Sequence, residues 1–186
     1  MNLDYFNKII VVKGDITTVD AEALVNAANN SLLGGGGVDG AIHKAAGPEL
    51  LKACRKLNGC ETGKAKITKA YNLNSRYIIH TPGPKYFGGK SGEKQLLESS
   101  YKKSLLIAKD FGCKSIAFPA ISTGIYSYPK ESACETALNT VFDFVDKESY
   151  YPVLYFVLFD DDNFNLYQKF ILRLKNELQT AADRKF

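Results

Sequence analysis

The sequence predicts an α/β sandwich with helices on both faces of a largely parallel sheet, and three observations carry that expectation. Short β-branched or apolar runs alternate with longer stretches of helical period. The run at 153–159 is almost wholly apolar, as a strand covered on both faces should be. Three loops that follow strands, at 14–17, 26–40 and 120–128, are rich in Gly, Asn, Ser and Asp. In such sheets ligands sit beyond the carboxyl ends of the strands, so these loops are where function is sought.

Taken in order, KIIVVK at 8–13 reads as a strand stopped by Gly14-Asp15, and ALVNA at 23–27 is a second short apolar run. The loop SLLGGGGVDG leads into a helix over about 41–46, and Pro48 suits the first turn of another that ends before Gly59. Strands are expected over 64–71 and 76–81, the latter stopped by TPGP. Leu96, Leu97, Tyr101, Leu105 and Ala108 set a helical period over 93–111, with Gly112 as its stop. A buried strand at 115–118 precedes the loop PAISTGIYSYP, and a helix over 129–146 carries Ala133, Ala137, Val141 and Phe144 on one face. Phe164, Tyr167, Ile171, Leu174 and Leu178 mark a last amphipathic helix, with candidate caps among residues 160–162. No repeat or linker divides the chain, so residues 1–186 are expected to form a single domain, with a polar tail fraying over about 179–186.

With 186 residues, 45% hydrophobic and 24% charged, the chain has the composition of a globular protein and not of a fibre or a disordered tail. A formal charge of +4 tolerates a phosphorylated ligand but falls far short of a dedicated nucleic-acid binder. The opening MNLDYFNKII lacks the features of a secretory leader, and the longest apolar stretch, at 150–159, contains Pro152 and is well short of the ~20 residues that span a bilayer. A reducing cytoplasm is therefore expected, with Cys54, Cys60, Cys113 and Cys134 as free structural thiols. Cysteine spacing and only two histidines argue against zinc.

Three near-matches to known motifs fail on context. Gly35, Gly37 and Gly40 satisfy GxGxxG, but a dinucleotide turn follows its strand at once, and here residues 28–33 intervene. GGKS at 88–91 has Pro84 where a phosphate loop needs its first glycine. Ser122 lacks the leading glycine of a nucleophile elbow.

Four consecutive glycines, Gly34–Gly37, cost entropy on ordering. They let the main chain approach a ligand closely, and the following helix offers unpaired N–H donors to a phosphate or diphosphate. The alternative is a mobile surface loop. Ser122, Thr123, Gly124, Ile125 and Tyr126 could clamp the same diphosphate from the other side. Asp15, an acceptor-only group, suits the exocyclic amine of adenine, or else bonds its own turn. Asn29 suits a ribose diol, or else caps its loop. Asp39 is either a helix N-cap or an acid that orients a water or ribose hydroxyl, and its place at a helix start favours its ionised form.

GDIT at 14–17, VNAANNSLLGGGGVDGAIHKAAG at 25–47, TGKAKIT at 62–68, IIHTPGP at 78–84 and FPAISTGIYSYP at 118–129 together resemble a macrodomain. The resemblance runs from about Lys8 to the last helix. It is strongest to the MacroD-type branch, which removes ADP-ribose from proteins and deacetylates O-acetyl-ADP-ribose. It implies a three-layer α/β/α sandwich around a mixed, mostly parallel sheet. Asp15 would then bind the adenine amine, with Ile16 adding a backbone contact beside it and the ring of Phe159 stacked on the base. Gly35, Gly36, Gly37 and Val38 would line one side of the diphosphate, and Ser122, Thr123, Gly124, Ile125 and Tyr126 the other, with Tyr126 packed over the distal ribose. Asn29 and Asp39 fall at positions implicated in holding that ribose and promoting hydrolysis. Asn26 would support the loop, and His43 would be a structural helix residue.

Two departures are modest: Ser127 where the branch usually has glycine, and Pro82 in place of a common valine. The zinc-containing macrodomain pattern is absent. The implied activity is hydrolysis, freeing mono-ADP-ribose from acidic side chains and acetate from O-acetyl-ADP-ribose, with no cofactor and no metal. The alternative is a non-catalytic reader of ADP-ribosylated protein or nucleic acid. The partners implied are ADP-ribose, O-acetyl-ADP-ribose or a mono-ADP-ribosylated protein, with no membrane, and nucleic acid only as an ADP-ribosylated end.

Overall fold

Alternating side chains along six short strands decide how this chain layers. The computed structural model describes residues 3–183. In order, they form β1 (Ile9–Lys13), β2 (Ala23–Ala28), α1 (Gly37–Ala46), α2 (Pro48–Leu57), β3 (Lys66–Lys69), β4 (Tyr77–Pro82), α3 (Glu93–Asp110), β5 (Ser115–Phe118), α4 (Lys130–Lys147), β6 (Val153–Leu158) and α5 (Asp161–Asp183). A short 3₁₀ turn (Leu3–Lys8) precedes β1, and another (Ile16–Thr18) follows it.

The strands make one sheet in the order β1-β6-β5-β2-β4-β3. Every pairing is parallel except β3 with β4. Successive side chains point to opposite faces. Val25, Ile79, Ile116, Phe118, Leu154 and Phe156 meet Tyr101, Val141 and Tyr167 of α3, α4 and α5 in the larger core. Leu24, Ala28, Ile78, Ala117 and Val157 meet Ile42, Leu50 and Cys54 of α1 and α2 in the smaller one. The result is the three-layer α/β/α sandwich around a mixed, mostly parallel sheet.

The expected elements are all present, with shifted ends. β3 is shorter than the expected run at 64–71 because only Lys66–Lys69 pairs with β4. β4 continues through Pro82, in register with Ala28 of β2. Of the expected polar tail, residues up to Asp183 continue α5, and 184–186 lie outside the described residues. No helix among the described residues is long and apolar enough to cross a membrane. The four cysteines are buried and unpaired.

The largest shift is at α1, which begins at Gly37, four residues before the expected start. Two glycines in its first turn oppose helix on propensity alone. Packing overrides this: Ile42 and Ala46 are buried, and a Cβ on Gly40 would come within 2.5 Å of the Gly35 carbonyl oxygen. That close approach folds the glycine loop back onto the helix.

Candidate functional site

Because β1, β6, β5 and β2 are parallel neighbours, the segments after them open on one edge of the sheet. The Gly14 N–H donates to the Leu158 carbonyl at 3.0 Å and extends the β1–β6 pairing, so Asp15 and Phe159 leave the sheet side by side. Asp15 Oδ1 accepts from Thr17 N at 2.9 Å and Thr17 Oγ1 at 2.8 Å, the self-capping turn weighed above, with Oδ2 outside those bonds. Ile16 is buried beneath this turn. Phe159, one residue past the strand end, is 85% exposed.

The glycine loop leads into an uncapped helix. Gly36 is the N-cap of α1, and no side chain bonds there. The first turn of a helix lacks intrahelical acceptors for its N–H groups. Among the described residues none accepts from the amides of 35–38, or from those of 123–126 in the opposite loop. A Cβ on Gly36 would lie 3.5 Å from Ile125 Cδ1, so the two loops face each other. Gly37 has φ +60°, a conformation glycine adopts without penalty. Ser122 and Ser127 hold positive φ despite their side chains, and the turn closes through Ser127 N to Gly124 O (2.9 Å) and Tyr128 N to Ser122 O (3.0 Å). The buried Asn163 of α5 braces this loop through Nδ2 to Thr123 Oγ1 at 3.3 Å. Tyr126 is half-buried, its carbonyl accepting from Tyr86 N and its ring under Lys85 Nζ.

Asp39 is not the N-cap that its sequence position allows. It lies in the first turn of α1 with its side chain turned inward, 3% exposed. Oδ1 accepts from Asn26 Nδ2 at 2.7 Å and lies 3.5 Å from His43 Nε2. Oδ2 is buried without a protein partner. The helix start favours the ionised form, but burial acts against it. Burial raises its pKa, and the Asn26 donor and His43 only partly oppose this.

Asn29 combines its two readings. Its Oδ1 accepts from Ser31 N, Ser31 Oγ and Leu32 N, and its Nδ2 donates to the Gly34 carbonyl at 2.8 Å. It shapes the loop and keeps one amide hydrogen uncommitted. A Cβ on Gly35 would meet Asn29 Nδ2 and Asp39 Oδ2, each at 3.1 Å, so a free donor and a free acceptor flank one backbone position. An open concavity of about 460 Å³, bounded by Leu33, Gly34, Gly35, Gly40, His43 and Leu51, adjoins this point from the side of α1 and α2 and includes none of residues 122–126.

Sequence reasoning gave Asn26 only a loop-supporting role and did not single out His80. Both are fully buried. The available signal was a polar side chain in an otherwise apolar strand run, ALVNAA for one and IIHT for the other. No group of three or more metal-ligating side chains stands together among the described residues.

The family model described as Macro domain matches residues 25–137. Macro domain-containing protein CT2219 of Chlorobaculum tepidum is 53% identical over 87% of this chain and 94% of its own. A protein of Escherichia fergusonii named O-acetyl-ADP-ribose deacetylase is 49% identical over 92% of this chain and 99% of its own. The solved Oceanobacillus iheyensis macrodomain with ADP superimposes with a TM-score of 0.85 at 42% identity, covering 90% of this chain and 91% of that one. Sequence and overall fold therefore agree, and this chain belongs to the Macro domain family.

Proposed function

We propose that this protein binds ADP-ribose across the sheet edge and hydrolyses esters of its distal ribose. The substrates are O-acetyl-ADP-ribose and mono-ADP-ribosylated acidic side chains of proteins. The observation that carries this reading is the pairing of Asp39 Oδ2 with the free Asn29 hydrogen over Gly35, beside two facing rows of unpaired amides.

In this reading Asp15 Oδ2 takes the adenine amine, with Ile16 beneath it and Phe159 stacked on the base. The amides of Gly35, Gly36, Gly37 and Val38 hold one face of the diphosphate, aided by the positive end of α1. Those of Ser122, Thr123, Gly124, Ile125 and Tyr126 hold the other, and the Tyr126 ring covers the distal ribose. Asn29 donates to a ribose hydroxyl. Asp39 orients a water and accepts its proton as the water oxygen bonds to the ester carbonyl carbon. The bond from that carbon to the ribose oxygen then breaks, Asp39 returns the proton to the ribose oxygen, and the carboxylic acid of the acetyl group or protein side chain departs. Burial brings the basicity of Asp39 closer to neutral pH, which suits a base better than a strongly acidic surface carboxyl would. The deacetylase name of close relatives supports the ester chemistry.

Asp39→Ala tests this. Turnover of O-acetyl-ADP-ribose, and label released from a mono-ADP-ribosylated protein, should fall by about a hundredfold or more. Affinity for ADP-ribose, measured by calorimetry, should change by less than about tenfold, a modest loss of binding energy. Equal losses in both would reduce Asp39 to a binding group, and binding without release by the wild type would make the protein a reader.

A further inference from the structure

β2 and β4 pair so that Asn26 stands directly beside His80, on the face covered by α1 and α2. Asn26 Nδ2 lies 2.7 Å from Asp39 Oδ1 and 3.2 Å from His80 Nδ1. Its two hydrogens are thereby committed, one to each acceptor. Nδ1 of His80 is then the bare ring nitrogen, and Nε2 carries the single hydrogen, 2.9 Å from Thr68 Oγ1 on β3. Burial, reinforced by nearby His43, pushes the pKa of His80 down to about 3 and keeps the ring neutral. Cys54 Sγ on α2, 3.8 Å from Nε2, is held as a thiol by burial and by Asp39.

Turning the Asn26 amide over would set its oxygen against both the Asp39 carboxylate and the His80 lone pair. Two attractions would become two repulsions, deep in the protein where neither is screened. We infer that His80 is a positioning residue for the reaction: its bare Nδ1 fixes the Asn26 amide with nitrogen toward Asp39, which keeps Oδ1 engaged and Oδ2 free at Gly35. The inference deepens the proposed function, resting on Asp39 as the acid of the site. The groups facing Asp39 are Asn26 from β2, His43 from its own helix, Cys54 from α2, and Asn29 and Gly35 from the glycine loop. Of these only Asn26 donates a hydrogen bond to the carboxylate. If the amide were free to turn, Asp39 would lose that donor and retain its proton to higher pH.

Two variants separate this role from packing. In His80→Asn the δ oxygen stands where Nδ1 does, so the acceptor for Asn26 is kept and the donor to Thr68 is lost. In His80→Gln the ε amide stands where Nε2 does, so the Thr68 bond is kept and the δ acceptor is lost. The Asp39 carboxyl is titrated by carbon NMR in wild type and both variants, alongside kcat, KM and ADP-ribose affinity. His80→Asn should titrate as wild type, with kcat within about threefold. His80→Gln should titrate at higher pH, move the acidic limb of the pH–rate profile upward, and lose about 10- to 100-fold in kcat at nearly constant KM. Equal behaviour of the two variants would overturn the inference. So would a hydrogen on Nδ1 of His80 in nitrogen NMR of the wild type, a measurement that decides the matter even if a variant fails to fold. Should the wild type hydrolyse no ADP-ribose ester, the functional reading falls alone, because the carboxyl titration still tests the contact.

Discussion

A methyl group on Gly35 would press on Asn29 Nδ2 and Asp39 Oδ2 at once, at 3.1 Å from each. Neither neighbour is backbone, so a shift of a few tenths of an ångström absorbs the contact and the fold survives. The gap between donor and acceptor does not. Gly35→Ala should therefore melt close to the wild type yet lose at least about tenfold in turnover, since small misplacements of reacting groups are costly. Wild-type turnover in that variant would show that chemistry does not pass through this gap. At this scale the sequence disclosed residue types better than residue states. Asp39 stood out as a lone acid after four glycines, but its inward turn and raised pKa come from α1 packing over Asn26, which no local pattern reveals. Asn26 and His80 are 54 positions apart, and only the pairing of β2 with β4 makes them neighbours.

At the start of α5 the capping expectation resolves onto one residue. Asp160 Oδ1 accepts from Asn163 N at 3.0 Å, and Oδ2 accepts from Asn163 Nδ2 at 2.8 Å. That Nδ2 also reaches Thr123, so the cap of a helix steadies the second ligand loop. Burial pushes the Asp160 pKa up, but the Asn163 amide and Lys130 more than offset this and bring it down to about 2. A depressed carboxyl stabilises the fold above its unfolded pKa and loses that contribution as pH falls through the folded value. Asp160→Ala should cost about 1 kcal/mol at neutral pH, the usual worth of an N-cap. The difference from wild type should shrink between pH of about 4 and about 2. A pH-independent difference in denaturant titrations would remove the cap from the account. Helix positions were readable from periods such as Leu97, Tyr101, Leu105 and Ala108, all buried. The start of α1 was not, because its glycines are helical through the Gly40–Gly35 approach and not through propensity.

Over the whole molecule, strand identity was legible while strand order was not. The apolar run of β6 announces a strand covered on both faces, and Leu154 and Val157 do face opposite cores. Nothing in the runs themselves says that β2 lies between β5 and β4, or that β3 alone turns antiparallel, since those arrangements come from long-range pairing. The central position of β2 has a kinetic consequence. It is paired with β4 along its length and with β5 at Ala23 and Leu24, and its residues from Leu24 to Asn26 are wholly excluded from solvent, so its sheet-bonded amides should trade hydrogen for deuterium slowly. The unpaired amides of 35–38 and 123–126 trade at once. Mass spectrometry after brief labelling should therefore find heavy loops on a light strand, with ADP-ribose erasing the early label from those two loops. Early protection gained elsewhere instead would put the nucleotide in another place. The acid is thus moored to an interior, water-free strand, while the groups proposed to greet its substrate sit on loops whose amides nothing in the sheet restrains.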